Sequence, residues 1–368
     1  MLAGTMLKIN RMYWFLALVP VTIFVRFLFP ARHTLIFACS CASMIPLARL
    51  LSDATEQLAA RTGPTLGALL NVTFGNAGEL VIGFFAMREG LQQVVKASIT
   101  GSILVNLLLT LGVSMIAGGI RHKTLTFNVL AARTQSTMMC LAAIALIFPA
   151  AYHLLVGPGA AGPESRLSLE FAVILLVTYG LGLLFTLHTH RELLAVGRSE
   201  RVEDKAVWSG PAALGVLTVT AGLVGWLGEI LTSSLQPTAR AFGLSDLFVG
   251  LVVVAVAGNA AESTSAIRAA MRNRMDLAAG IAISSSIQIA LFVAPALIIA
   301  SHWIGPRPVD LVFTSVELIA VLIAIAITTQ VAGDGESNWL EGIQLLVVYI
   351  LIAVTVFALP ATPEAILR

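Results

Sequence analysis

Long apolar segments alternate with short polar connections along almost the whole chain. A helix that crosses a lipid bilayer needs about 20 mainly apolar residues, and eleven segments of this chain have that character. They lie at 12–30, 34–52, 65–88, 94–119, 128–152, 168–191, 209–233, 243–272, 277–303, 309–330 and 338–359. The pattern therefore predicts an all-α polytopic membrane protein with eleven transmembrane helices.

A five-residue motif occurs twice, at equivalent places in two halves of the chain. Residues 75–79 read Gly-Asn-Ala-Gly-Glu, and residues 258–262 read Gly-Asn-Ala-Ala-Glu, 183 positions further on. The same offset relates Ser102 to Ser285. A constant offset over this distance indicates an internal duplication, so the two motifs belong to equivalent helices.

The duplication leaves one helix in front of two groups of five. Because five is odd, the second group enters the membrane from the opposite side, and the two groups become inverted repeats. We therefore expect an N-terminal transmembrane helix at 1–33, a first five-helix repeat at 34–191, a cytoplasmic linker at 192–208 and a second five-helix repeat at 209–368. A site at the membrane midplane between inverted repeats is typical of secondary transporters.

Composition supports the membrane assignment and limits the partners. Hydrophobic residues make up 58% of the 368 residues and charged residues only 11%, against about 25% charged residues in ordinary globular domains. The net charge of +2 is too small to indicate a nucleic-acid partner. The three cysteines predict neither a disulfide framework nor a thiolate metal site, since two share one apolar segment and the third lies in another.

The distribution of basic residues predicts the orientation in the bilayer. Lys and Arg are more numerous in the connections that lie on the same side of the membrane as the N-terminus, and Lys96 is counted on the opposite side. By the positive-inside rule, the N-terminus and the linker are cytoplasmic and the C-terminus is outside. The short linker and the lack of a targeting signal favour a prokaryotic plasma membrane, and the oligomeric state, including a homo-oligomer, stays open.

Each motif places a carboxylate near the middle of an apolar segment. A charge at the centre of a membrane helix costs roughly 2.5–3.5 kcal/mol on insertion scales, so the matched Glu79 and Glu262 indicate a cation site better than they indicate helix packing. Asn76 lies three residues before Glu79 and shares its helix face. Gly75 and Gly258 loosen the helix before each asparagine, which frees backbone carbonyls to act as ligands.

The next apolar segment of each half carries polar residues at similar depth. These are Ser98, Gly101, Ser102 and Asn106 in the first half, and Ser284, Ser285, Ser286 and Gln288 in the second. With Glu79, Glu262, Asn76 and Asn259 as the metal ligands, the donor set consists of oxygen atoms alone. Such a set suits Ca²⁺ and also accepts Mn²⁺, whereas zinc and copper prefer thiolate or imidazole ligands.

The charges of the two glutamates explain how an exchanger would work. Two carboxylates balance one divalent cation, and without it they do not both stay ionised comfortably in a low dielectric. Protons and the cation therefore compete for the same oxygens. This competition leads to the hypothesis of divalent cation/proton exchange, without a cofactor and without an enzymatic step.

Both motifs resemble a known family once their neighbours are included. Residues 73–80 (TFGNAGEL) and 101–109 (GSILVNLLL) resemble the first repeat of the Ca²⁺/H⁺ exchangers, the cation exchanger branch of the Ca²⁺/cation antiporters. Residues 258–262 (GNAAE) and 285–292 (SSIQIALF) resemble the second repeat. The resemblance extends from about Arg49 to Pro295.

The resemblance implies roles for individual residues. Glu79 and Glu262 would bind Ca²⁺ and protons alternately in a protein of eleven helices. The supporting ligands or gate residues would be Asn76, Asn259, Ser102, Ser285 and Gln288. Three departures from the family pattern, Ser263 in place of His, Ala255 in place of Pro and Ser284 in place of Gly, bear on cation preference and on helix bending in the second repeat.

Two other functions remain open beside Ca²⁺/H⁺ exchange. A Na⁺-coupled Ca²⁺ exchanger would have the same architecture, and a Ca²⁺-permeable channel would use the same oxygen ligands. An intramembrane hydrolase would need a nucleophile and base, or a metal-ligand set, that does not accompany the glutamates.

Several other polar residues have simpler explanations. Glu229 is interpreted equally well as part of a path toward Glu262 and as an interfacial residue. Asp53 and Glu56 are expected in a loop with no special role. His188 and His190 are expected at the membrane interface, and Arg268, Arg272 and Arg274 are expected to form a cytoplasmic anchor.

Overall fold

The computed structural model describes residues 11–127, 129–157, 161–189, 208–333 and 335–359. Sixteen α-helices and one two-stranded sheet account for most of them. A 3₁₀ helix, Arg11–Ala17, leads into α1 (Leu18–Leu28), α2 (His33–Thr62), α3 (Pro64–Gly75), α4 (Ala77–Arg88), α5 (Gln92–Leu104), α6 (Leu111–Gly119), α7 (Val129–Val156) and α8 (Ala161–Leu184). The second half contains α9 (Gly210–Phe242), α10 (Asp246–Phe248), α11 (Ala255–Gly258), α12 (Ala260–Met271), α13 (Met275–Gln288), α14 (Ala294–Ser301), α15 (Ser315–Val331) and α16 (Trp339–Ala358).

Wide π-helical turns join several of these helices into longer rods. The turn at Val105–Thr110 joins α5 to α6, the turn at Ile289–Val293 joins α13 to α14, and the turn at Val249–Val254 joins α10 to α11. A further turn, Phe185–Thr189, extends α8.

Many of the helices are long and apolar enough to cross a bilayer. Within the described residues, seven have this character: His33–Thr62, Gln92–Gly119, Thr134–Val156, Gly162–Leu187, Gly210–Phe242, Met275–Ser301 and Trp339–Ala358. Two further pairs, Leu69–Gly75 with Ala77–Arg88 and Asp246–Gly258 with Ala260–Met271, qualify together but bend by 51° and 56°. The chain is therefore an integral, multi-pass membrane protein that is mostly helical.

The two most enclosed rods are counterparts in the duplicated sequence. The most hydrophobic stretch of Gln92–Gly119 is 83% buried inside the protein, and that of Met275–Ser301 is 61% buried. The starts of the two rods, and also their ends, are separated by about the 183-residue offset. Small residues let neighbouring backbones approach these rods. Gly101 lies so close to the Leu251 backbone that a β-carbon at this position would overlap it, which is the kind of contact that stabilises helix packing in lipid.

A short sheet ties two distant parts of the chain together. Strand β1 (Leu125–Thr126) follows α6, and it pairs antiparallel with β2 (Glu336–Ser337), which precedes α16. Beside the sheet, Gly112 of α6 and Gly342 of α16 face each other, each leaving no room for a side chain on the other. The α6 and α16 ends are thus held in close contact.

One predicted segment end is wrong. The second segment was expected to end at residue 52, but α2 continues to Thr62, so Asp53 and Glu56 lie on a helix and not in a loop. The polar residues of this extension favour helix well enough to continue it beyond the apolar part. Lys96, which was counted with the connections for the orientation, lies within α5, as the predicted segment 94–119 implies. Its buried ammonium donates to Asp310 Oδ1 at 3.0 Å and to Val312 O at 2.6 Å.

Candidate functional site

Each five-residue motif lies where a helix breaks. Asn76 separates α3 from α4 with backbone angles φ −105° and ψ 22°, and Asn259 separates α11 from α12 with φ −89° and ψ 10°. These angles leave the α-helical region for the sparsely occupied bridge region. Each break follows the motif glycine, as the sequence suggests, and it exposes the carbonyl end of one helix and the amide end of the next.

The Asn76 side chain joins the first motif to the second half of the chain. Its Nδ2 donates to the Val72 carbonyl at 3.1 Å, which bridges the break within its own segment. The same nitrogen donates to Gln288 Oε1 at 2.7 Å, at the end of α13. Asn76 is only 4% exposed, so both contacts form away from bulk solvent.

The Asn259 side chain makes the reciprocal connection to the first half. Its Nδ2 donates to the Ala255 carbonyl at 2.9 Å and to Ser102 Oγ at 2.8 Å. Its Oδ1 accepts from Asn106 Nδ2 at 2.9 Å. Asn259, Ser102 and Asn106 are all at most 1% exposed, so the second break is fixed by a buried polar network.

The two glutamates lie in the first turns of α4 and α12, directly after the breaks. Glu79 reaches the other motif, because a β-carbon placed on Gly258 would lie 3.4 Å from Glu79 Oε1. The Glu79 carboxylate thus reaches the break directly before α12, whose first turn carries Glu262. Glu262 Oε2 is shielded from solvent and has no hydrogen-bond partner among the described residues, so it is an acceptor available to a cation.

The serines expected to support the site differ in what they contact. The Ser284 hydroxyl donates to Ile281 O at 3.3 Å and the Ser286 hydroxyl donates to Ala282 O at 3.0 Å, so both bond to their own helix. Ser285 is half-buried, and no hydrogen bond of its hydroxyl occurs among the described residues. Of the three, Ser285 has the hydroxyl that is available as a ligand.

The structure adds polar contacts that the sequence did not single out. Thr110 Oγ1 and Ser263 Oγ lie 2.5 Å apart, and Ser263 Oγ donates to the Asn259 carbonyl at 2.8 Å. Ser263, one of the departures from the family pattern, therefore belongs to the second network. The spacing of Ser102, Asn106 and Thr110, four residues apart each time, was the signal that could have placed Thr110 on the same helix face.

A second addition is Arg49 on α2. Its guanidinium donates to Ser265 Oγ, one helical turn beyond Glu262 on α12. It also forms an ion pair with Asp53, with Arg49 Nη2 2.7 Å from Asp53 Oδ1, so Asp53 contacts the same guanidinium as Ser265 does. No periodic signal marks this contact, since it depends on how α2 packs against α12.

The remaining candidates lie apart from these contacts or outside the described residues. Glu229 is exposed on α9, and the structure gives it no link to Glu262. His190 and most of the linker lie outside the described residues, as does the His188 side chain. Within the part of the chain that is described, no three His, Cys, Asp or Glu side chains gather in a metal cluster. A cation at the breaks would therefore bind two carboxylates and neutral oxygens.

Comparison with known proteins identifies the family. The chain belongs to the sodium/calcium exchanger protein family, whose model matches residues 32–188 and 212–358. A Ca²⁺/H⁺ antiporter of Aphanothece halophytica is 43% identical to it over 343 residues, covering 89% of this chain and 91% of that protein. The Ca²⁺/H⁺ antiporter ChaA of Bacillus subtilis (strain 168) is 40% identical over 355 residues, covering 95% of this chain and 100% of that protein.

A solved structure extends the comparison to three dimensions. The structure of YfkE matches this chain with a TM-score of 0.82 at 36% identity, covering 95% of this chain and 100% of that chain. The resemblance seen in the sequence motifs is thus confirmed over nearly the whole chain.

Proposed function

We propose that this protein is a secondary active transporter that exchanges Ca²⁺ for H⁺ by alternating access. The observation that carries the proposal is the pairing of Glu79 and Glu262 at two helix breaks, with Glu79 against Gly258 of the opposite motif. Relatives at about 40% identity that are named Ca²⁺/H⁺ antiporters, aligned over most of the chain, support the same function.

The two carboxylates would bind either Ca²⁺ or protons. Their mutual repulsion makes the empty, doubly ionised pair unfavourable, because charges of one sign repel strongly in a low dielectric. A divalent cation or protons relieve this repulsion, and occupancy by one excludes the other. Exchange follows when the site opens to one side of the membrane at a time.

Neutral oxygens would complete the coordination of Ca²⁺, which takes six to eight oxygen ligands. The candidates are the ones expected from the sequence, Asn76, Asn259, Ser102, Ser285 and Gln288, together with the carbonyls that the breaks at Gly75 and Gly258 release. Asn106 Oδ1, buried without a partner among the described residues, is an additional candidate. These groups orient the cation and add no charge.

The architecture belongs to the same proposal. We infer eleven spans, counting each bent pair once and including the shorter apolar helices Tyr13–Leu28 and Ser315–Val331. The division into a first helix at 1–33, inverted repeats at 34–191 and 209–368 and a linker at 192–208 is supported by two separate family matches. We further propose a cytoplasmic N-terminus and linker, an external C-terminus and a prokaryotic plasma membrane.

The test is Ca²⁺ uptake into proteoliposomes under an imposed pH gradient. Wild-type protein is expected to accumulate Ca²⁺ only with the gradient, and Glu79→Gln and Glu262→Gln are expected to fall to the level of empty liposomes. Each substitution keeps the size of the side chain and removes its charge. Glu170→Gln is the matched control, because Glu170 is exposed and pairs with Arg166 one turn away.

The same vesicles separate the alternative functions. Uptake that requires Na⁺ and ignores the pH gradient would establish Na⁺-coupled exchange. Ca²⁺ currents far above carrier turnover, with no uphill movement, would establish a channel. Near-normal exchange by either glutamine variant would contradict the two-carboxylate site.

A further inference from the structure

Arg49 is a largely buried positive charge close to the second helix break, and it is not one of the proposed ligands. It lies on α2, which packs against α11 and α12 on either side of the second break. Two of its nitrogens are engaged: one donates to Ser265 Oγ, and Nη2 pairs with Asp53 at 2.7 Å. Asp53 Oδ2 in turn accepts from the Tyr13 hydroxyl at 2.6 Å. A line of polar contacts thus runs from the first helix to the helix of Glu262.

Among the described residues, the third nitrogen of the guanidinium has no hydrogen-bond partner. Arg49 Nε is buried and donates to no oxygen there, and Glu262 Oε2 is buried without a donor in the same part of the chain. A buried donor on a cation and a buried acceptor on a carboxylate are each costly when they are left unpaired. Ser265 holds the guanidinium one helical turn from Glu262, a separation over which opposite charges attract.

We propose that Arg49 is a tethered cation that pairs with Glu262 when the site holds no divalent cation, and that competes with Ca²⁺ for this carboxylate. Asp53 and Tyr13 limit the competition, because they hold the guanidinium away from Glu262. Arg49 is thus a positioning residue that sets the affinity for Ca²⁺ through Glu262. This role rests on the exchange function proposed above, but it concerns cation affinity and not proton coupling.

The proposal predicts changes of opposite sign at two contacting residues. Arg49→Gln removes the competitor, so the dissociation constant and the KM for Ca²⁺ fall about three- to tenfold while the maximal rate changes much less. Asp53→Asn removes the restraint on the guanidinium, so the same two constants rise. If the role of the ion pair were purely structural, both variants would have higher dissociation constants and KM values for Ca²⁺.

The experiment measures equilibrium binding of radioactive Ca²⁺ to the purified full-length protein in detergent, beside uptake in proteoliposomes. Arg49→Lys keeps the positive charge, so its dissociation constant for Ca²⁺ is expected to stay closer to that of the wild type than the constant of Arg49→Gln does. Arg166→Gln, which removes an exposed arginine far along the chain, is expected to change nothing. Size-exclusion profiles show which variants are folded.

The outcomes separate this inference from the exchange function. Arg49→Gln that binds Ca²⁺ no more tightly than the wild type overturns the inference, as does Asp53→Asn that binds it more tightly. If Arg49→Gln does not fold, the direction of the Asp53→Asn shift still decides. Wild-type protein that binds Ca²⁺ without exchanging it for protons contradicts the proposed function, and the binding constants still test Arg49.

Discussion

The two helix breaks have the same sequence motif but are held in different ways. At the first break, Asn76 crosses to the other half through one contact, to the half-buried Gln288. At the second break, Asn259 contacts both Ser102 and Asn106, all nearly or fully buried. The duplication has therefore kept the residues that we propose as ligands, while the residues that contact them have diverged.

The residue numbers of the hydrogen-bond partners of Asn76 and Asn259 show which contact is kept in both halves and which is not. Val72 and Ala255, the carbonyl partners within the segments, are 183 residues apart, so this contact is preserved in both halves. The Ser102 contact should by the same offset place Ser285 against Asn76, but Gln288 makes the contact instead. Among the described residues, the Ser285 hydroxyl makes no hydrogen bond. From these contacts we expect the second break to be the more rigid and the first to be the more easily rearranged.

The largest difference is expected between the two asparagines. Asn259→Ala leaves the Ser102 hydroxyl and the Asn106 amide without their partner, and each buried unsatisfied group costs about 1–3 kcal/mol. Both substitutions also free a carbonyl of the preceding helix, Val72 or Ala255. Beyond this shared loss, Asn76→Ala leaves Gln288 without its partner, and Gln288 is half-buried and can bind water. Asn259→Ala should therefore lower the unfolding temperature of the purified protein clearly more than Asn76→Ala does, as measured by its intrinsic fluorescence on heating.

Both alanine variants should also lose most Ca²⁺ uptake, so stability and not transport separates them. An equal or larger stability loss in Asn76→Ala would show that the first break is held as firmly as the second. The difference between the two contact networks would then have no energetic meaning.

A smaller difference is expected between the paired serines. Ser102→Ala removes an acceptor of the Asn259 amide and should reduce the free energy of unfolding by about 1 kcal/mol. Ser285→Ala breaks no hydrogen bond, so stability should stay within about 0.5 kcal/mol, while the KM for Ca²⁺ rises because a ligand is lost. Chemical denaturation and uptake kinetics measure the two quantities. A wild-type KM in Ser285→Ala would remove Ser285 from the ligand set.

The smallest effect is expected at the motif glycines. A methyl group at Gly258 would lie 3.4 Å from Glu79 Oε1, within ordinary contact, and would take space beside the carboxylate. Gly258→Ala should raise the KM for Ca²⁺ about two- to threefold, which corresponds to less than about 1 kcal/mol of binding free energy. Gly75→Ala is the matched control, since its nearest neighbour is Asn71 Oδ1 at 3.7 Å. If Gly258→Ala and Gly75→Ala had equal KM values for Ca²⁺, Glu79 would not lie beside Gly258 in the functional state.

The sequence was sufficient for the parts of the site that repeat. The offset of 183 showed that Glu79 and Glu262 are equivalent positions, as are Asn76 and Asn259. The glycine before each asparagine predicted where the helices break. Apolar length predicted a multi-pass membrane protein. These features are local or periodic, so they can be seen without knowing how the helices pack.

The contacts between helices could not be predicted in the same way. Either Gln288 or Ser285 could contact Asn76, and the choice depends on how α13 is rotated about its axis and how high it lies. A π-helical turn directly after Gln288 changes the rotation of this rod. The role of Arg49 was missed for a related reason. Its partners, Asp53 and Ser265, lie on α2 and α12, and the helical continuation through Asp53 was not visible in the hydropathy pattern.

The buried polar face of the rod formed by α5 and α6 has a consequence for how the protein is made. Ser102 and Asn106 obtain their partner, Asn259, only after 157 and 153 further residues have been synthesised. At about 5–20 residues per second, this takes roughly 8–30 seconds. During that time the Asn259 side chain that later contacts Ser102 and Asn106 does not yet exist. The site is therefore completed at a late stage of biogenesis, and the ribosome delivers its two halves as separate events.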